Sequence, residues 1–153
     1  MIKGLIAPIL TPFNNDLSIN NEIFNNFAKY LLENGCSGLA PFGTTGEALS
    51  ISNTERMNAL ESMVKSGINP KVLIPGTGLC NFPDTVKISK HAIELGCHGV
   101  MVLPPFYYKG VSDEGLFNHY EKLISEINHP DLKIFFYHIP AMTAVPSSTD
   151  LVS

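Results

Sequence analysis

Short apolar runs bounded by proline and glycine alternate along the chain with stretches in which apolar residues recur every three or four positions. The first run is Leu5 to Thr11, stopped by Pro12. From Glu22 the residues Ile23, Phe27, Ala28 and Leu31 recur at helical spacing, and Asn34-Gly35 supplies a stop with glycine placed for a left-handed C-cap. Ser37 to Phe42 reads as a second strand and Gly43 to Leu49 as a loop. Ser52-Asn53-Thr54-Glu55 then has the spacing of a capping box, so a helix is expected with Met57, Leu60 and Val64 on its apolar face and Gly67 at its end. Val72-Leu73-Ile74 is the third predicted strand, before Pro75-Gly76-Thr77-Gly78. Pro83 suits the first turn of a helix that carries Val86, Ile93 and Leu95 to Gly96. Gly99 to Leu103 is the fourth strand. Ser112 caps a helix bearing Leu116, Tyr120, Leu123, Ile124 and Ile127, Lys133 to Ile139 is the fifth strand, and a fifth helix is expected to start between Ser147 and Ser153.

Strands that start roughly 30 residues apart, apolar on both faces and separated by helices, are the pattern of βα units around a buried parallel sheet. Two architectures share it: a (β/α)₈ TIM barrel, of which these residues supply about the first five strands and four helices, and an open flavodoxin-like sheet of five strands. Periodicity does not separate them, although a glycine-rich nucleotide fingerprint after the first strand is absent. Residues 1–153 are expected to form one incomplete barrel domain.

Composition narrows the function. With 44% hydrophobic residues and mixed charges the chain is ordinary globular material. A net charge of −4, with nine lysines and the lone Arg56, provides no basic stripe for nucleic acid. Its longest apolar runs, such as Gly99 to Leu103, fall far short of the roughly 20 residues that cross a bilayer. The N-terminus lacks a signal-peptide core, so a cytoplasmic location is expected. Cys36, Cys80 and Cys97, odd in number and unevenly spaced, read as reduced core residues rather than a disulfide or zinc framework.

In a barrel, chemistry sits just after the strands. After the second strand, Gly43-Thr44-Thr45-Gly46-Glu47 offers two hydroxyls and glycine-flanked N–H groups, a setting for a small carboxylate. The loop after the fourth strand carries Tyr107, Tyr108 and Lys109, and the fifth strand ends in Tyr137-His138-Ile139-Pro140. A phenol such as Tyr137 can move a proton where its partners allow. His138 falls on the opposite strand face and reads as structural. All nine lysines read as solvated surface charges.

In order and spacing, Ile9-Leu10-Thr11-Pro12-Phe13, Gly43-Thr44-Thr45-Gly46-Glu47, Pro75-Gly76-Thr77-Gly78, Tyr107-Tyr108 with Ser112 to Leu116, and Tyr137-His138-Ile139-Pro140 resemble the dihydrodipicolinate synthase and N-acetylneuraminate lyase family. The resemblance implies a TIM barrel whose lysine forms a Schiff base with pyruvate or another 2-keto acid, before an aldol bond to an aldehyde is made or broken. No metal or organic cofactor is implied. By motif position Tyr137 resembles the tyrosine that shuttles protons, Thr44 the relay hydroxyl, and Thr45, with Gly43 and Gly46, the group holding the keto acid's carboxylate. Tyr108 resembles the third relay member, which reaches across a subunit interface, so a homo-oligomer (dimer or tetramer) is implied.

Two departures stand out. The family's lysine lies on the sixth strand, beyond the sixteen residues that follow Tyr137 (153 − 137), so it is expected past Ser153 and the chain is expected to be a fragment or truncated product. Dihydrodipicolinate synthases, which serve lysine biosynthesis, also carry an arginine shortly after the strand-5 tyrosine, where this chain has Ala141-Met142-Thr143-Ala144. Met142 cannot make that charge-assisted pair. The expected activities are therefore dihydrodipicolinate synthase-like or, alternatively, cleavage of N-acetylneuraminate or 2-keto-3-deoxy sugar acids. A non-catalytic half-barrel binding module is the rival of another class.

Overall fold

The computed structural model describes residues 2–148, and the start of a fifth helix expected toward Ser153 lies outside them. Strand β1 (Leu5–Pro8) pairs in parallel with β2 (Cys36–Ala40), and β3 (Val100–Val102) pairs in parallel with β4 (Ile134–Phe136). Between them the third predicted strand survives only as single bridges, Leu39 with Leu73 and Gly76 with Met101. Its shortening has a local cause. Pro70–Val72 forms a 3₁₀ turn in which the Asn69 side chain accepts from the Lys71 N–H, and Pro75 has no N–H to give to a ladder. The segment still joins the two pairs: Ile74 N donates to Leu39 O at 2.9 Å, Gly76 N to Pro41 O at 2.8 Å, and Met101 N to Pro75 O at 2.9 Å.

The spatial order is therefore β1, β2, the 73–76 segment, β3, β4, the same as the order in the chain. A doubly wound flavodoxin-like sheet reverses direction at a switch point, with its second strand outside its first. Sequential order excludes that alternative and is what a closing barrel requires.

Helices α1 (Asn21–Glu33), α2 (Asn53–Lys65), α3 (Phe82–Glu94) and α4 (Asp113–Ile127) follow successive strands, as expected. Their starts follow the predicted chemistry. The Ser52 hydroxyl accepts from Glu55 N while the Glu55 carboxylate accepts from Ser52 N, completing the capping box, and Ser112 accepts from Gly115 N. Gly35, Gly67 and Gly96 all have positive φ after their helices.

The buried faces differ in detail from expectation. On α1 it is Phe24 rather than Ile23 that packs inward, fully buried with its ring tilted against Phe42 at 5.7 Å, and Ile23 is exposed. On α2 the core residues are Arg56, Ala59, Leu60 and Met63, one position away from Met57 and Val64, and on α4 Ile124 is exposed. On α1 and α2 the stripe is rotated by about one residue, the margin left when a helix has apolar residues on two neighbouring rows, whereas α4 buries Leu116, Tyr120, Leu123 and Ile127 as expected. A short helix α5 (Pro140–Thr143), missed in the sequence, follows β4 at once.

Cys97 lies in the core, where burial pushes its thiol up to about 12, whereas Cys36 and Cys80, also expected in the core, are only half-buried. No helix among the described residues is long and apolar enough to cross a membrane, and no three His, Cys, Asp or Glu side chains among them stand together to hold a metal ion.

Candidate functional site

All four strands and the bridged segment run in parallel, so their C-terminal ends come to one face. There a cavity of about 200 Å³ opens, lined by residues 42–44 and 47–50 of the loop after β2, Gly76 and Gly78, Met101 and Leu103 of the β3 end, and Tyr137, Ile139, Met142 and Thr143 after β4. The glycines of the third segment are required by backbone proximity. A Cβ on Gly76 would stand 2.1 Å from Phe42 O, and one on Gly78 2.1 Å from Leu103 N, so any side chain there would displace the walls.

The loop after β2 is held in an unusual shape. Phe42 and Glu47 both have left-handed backbones, φ 60° and 51°, which non-glycine residues adopt only at a cost of about 1 kcal/mol or more. Hydrogen bonds offset it. Gly46 N and Ala48 N both donate to Gly43 O, Glu47 N donates to Thr44 O, and the buried Thr11 hydroxyl donates to Gly46 O at 2.8 Å. The result lifts Thr44 into the cavity.

Tyr137 continues β4 by one more bond, its N–H donating to Val102 O at 3.0 Å. Its phenol donates to the Thr44 hydroxyl at 3.3 Å, across 93 residues of sequence. That is long beside the roughly 2.8 Å of a relaxed hydroxyl pair, leaving room for a bound oxygen to tighten it. Such a pair can pass a proton without placing a net charge in the cavity.

Of the residues singled out in the sequence, Thr44, Gly43 and Tyr137 line the cavity. Gly46 lies just beneath it, buried against Ile9 O. Thr45 is exposed and does not line it. Tyr108, 63% exposed, packs edge-on against Tyr107 rather than against Tyr137 or Thr44. Lys109 is not the freely solvated charge expected: its ammonium donates to Phe106 O and, at 2.8 Å, to Thr143 O, tying the β3 loop to α5. His138 accepts from Ser147 N at 3.3 Å and takes no part in the cavity, in keeping with its structural reading.

Several lining residues carried no signal of their own. Met101, Leu103 and Phe106 form an apolar wall, and Ile139, Met142 and Thr143 reach the cavity because α5 turns the chain back over it. Glu47, the only carboxylate in the lining among the described residues, stood inside a motif already quoted but without a role. No Lys, Arg or His lines the cavity among the described residues.

The architecture and this site match known proteins. The model of the dihydrodipicolinate synthetase family matches residues 1–152. The chain belongs to that family. It is 33% identical to the 4-hydroxy-tetrahydrodipicolinate synthase of Syntrophobacter fumaroxidans over 153 residues, covering 100% of this chain and 51% of that one. It superposes on the crystal structure of dihydrodipicolinate synthase from Agrobacterium tumefaciens with a TM-score of 0.93 at 35% identity, covering 97% of this chain and 52% of the other. The Acinetobacter baumannii dihydrodipicolinate synthase, solved in complex with pyruvate, superposes at TM-score 0.87 and 27% identity, over 99% of this chain and 50% of that one. The chain thus spans about half the length of the curated relatives it matches. Its five parallel segments and four main helices are the leading part of a (β/α)₈ barrel, and its relatives in the dihydrodipicolinate synthetase family are lyases and aldolases.

Proposed function

We propose that residues 1–153 form the keto-acid-binding part of a Schiff-base lyase or aldolase acting on pyruvate or a related 2-keto acid, with an aldehyde as second substrate, in the manner of a 4-hydroxy-tetrahydrodipicolinate synthase. The observation that carries this reading is the Tyr137 phenol on the Thr44 hydroxyl at the mouth of the barrel. Forming a Schiff base requires a proton to reach the keto oxygen as it leaves as water, and a phenol–hydroxyl pair delivers one. The named relatives and the pyruvate held by a structural neighbour support the same reading. Gly43 and its neighbours supply backbone N–H groups for the carboxylate, and exposed Thr45 joins them only if the loop turns on binding.

The amine comes from outside these residues. None of the nine lysines lines the cavity, and the relatives are about twice as long. Residues 1–153 act as one incomplete barrel domain, and Tyr108 completes the relay from a partner chain in a cytoplasmic dimer or tetramer. No cofactor is needed.

A second reading concerns the aldehyde. Among the described residues the wall where it would lie is Met142, Ile139 and Leu103, without a cation, and Glu47 adds a carboxyl group. A second carboxylate finds no partner there, which favours the hydroxylated aldehydes released from N-acetylneuraminate or 2-keto-3-deoxy sugar acids over aspartate semialdehyde.

Borohydride reduction with pyruvate tests the main reading. The whole gene product gains one pyruvyl unit on a lysine outside residues 1–153, and the 153-residue chain gains none. A stoichiometric adduct on Lys109 or another of the nine lysines contradicts it, and a whole product that binds pyruvate without an adduct establishes the non-catalytic module instead. Turnover of aspartate semialdehyde plus pyruvate against cleavage of the two sugar acids separates the substrates.

A further inference from the structure

Arg56, the single arginine, is 4% exposed, yet among the described residues the ion pairs are Glu61 with Lys65 and Glu61 with His91, and no carboxylate faces the guanidinium. Its Nε is buried without a partner, and burial draws its pKa down. An apolar residue of similar volume at a buried site of this kind is commonly as stable or more so. The stability of α2 therefore does not account for a guanidinium here.

What the guanidinium does is directional. It donates through Nη2 to Ala48 O. Ala48 closes the loop that carries Thr44: its N–H donates to Gly43 O, next to the left-handed Glu47. Arg56 also shares a small cavity with Phe42 and Pro75, so it stands below both ends of the loop. Its own position is set by the capped start of α2 at Ser52 and Glu55. A continuous path runs from Arg56 through Ala48 and Gly43 to Thr44, and from Thr44 to Tyr137.

We propose that Arg56 is a positioning residue, holding the Ala48 carbonyl so that residues 43–48 present the Thr44 hydroxyl to Tyr137. The inference rests on the keto-acid reading given above for the use to which that hydroxyl is put.

The test compares wild type, R56M and R56K in the whole gene product, following the rate of pyruvate capture under borohydride and the hydrogen exchange of the Gly46, Glu47 and Ala48 amides. R56M, once shown by its melting curve to be folded, should capture pyruvate at least tenfold more slowly per folded site, with the KM for pyruvate changed less than threefold. The three loop amides should exchange at least tenfold faster while those of α2 stay protected. Capture and loop exchange at wild-type rates in folded R56M overturn the proposal. If R56M does not fold, R56K decides: a capture rate at least threefold slower at an unchanged melting temperature supports it, and a wild-type rate overturns it. Absence of capture by the wild type refutes the keto-acid reading alone. The exchange data then decide the loop claim, which stands only if the loop amides are released.

Discussion

Two loops frame the cavity and are built on different principles. Residues 43–50, after β2, are fixed from beneath by buried groups: the Thr11 hydroxyl on Gly46 O, the Arg56 guanidinium on Ala48 O, and the bare Gly76 backbone against Phe42 O. Residues 104–112, after β3, are fixed from the surface. Tyr107 and Tyr108, 74% and 63% exposed, rest on each other, Tyr107 N donates to the Cys80 sulfur at 3.3 Å, and Lys109 reaches over to Thr143 O. A group that must deliver a proton within tenths of an ångström belongs on the first kind of support. An exposed pair of aromatic rings belongs on the second kind, because its own chain leaves it uncovered and a partner surface can cover it.

That contrast can be broken by substitution. The largest effect is expected from G76A, because the new methyl meets Phe42 O and the loop's strained start has nowhere to move. A loss of about 3 kcal/mol in urea unfolding is expected, the upper range for overpacking, and a loss below 1 kcal/mol would show that the loop is not clamped from beneath. Next come Y137F and T44V, which each delete one hydroxyl of the relay. In the whole gene product each should lower kcat by about 10²-fold while the melting temperature stays within a few degrees. Equal losses in the two variants, and little further loss in the double variant, mark one relay rather than two separate contacts.

K109A should matter far less. One of its hydrogen bonds is exposed and the other only part-buried, so stability should fall by no more than about 1 kcal/mol and kcat/KM by less than threefold. The smallest effect within one chain belongs to Y108F, which removes a solvent-facing hydroxyl. Its effect sharpens the comparison: a negligible change in the melting temperature of an isolated chain, combined with a clear loss of turnover in the assembled protein, would place Tyr108 at a subunit boundary.

How far the sequence disclosed this arrangement varies with the kind of signal. Capping chemistry is local, so the starts of α2 and α4 at Ser52 and Ser112 are as expected, and so are the glycines that end α1, α2 and α3. Strand order is not local. The five apolar runs allowed a barrel or an open sheet, and only the bridges from Leu39 to Leu73 and from Gly76 to Met101 decide between them. Of the cavity lining, Gly43, Thr44 and Tyr137 were legible because they stand at or just after the ends of apolar runs. Arg56 was not, because a charged residue within an amphipathic helix reads as surface until its partner, here a carbonyl eight residues earlier, is known. Met142 and Thr143 reach the cavity only through α5, a single turn too short to leave a periodic pattern.

The central claim is that Thr44 and Tyr137 mark a 2-keto acid site, and titration of pyruvate into the 153-residue chain, followed by amide chemical shifts, tests it most directly. The account predicts saturable shifts at Gly43, Thr44 and Tyr137, weakened at least tenfold in affinity by Y137F. Shifts confined to another surface, or the same affinity in Y137F, would contradict it.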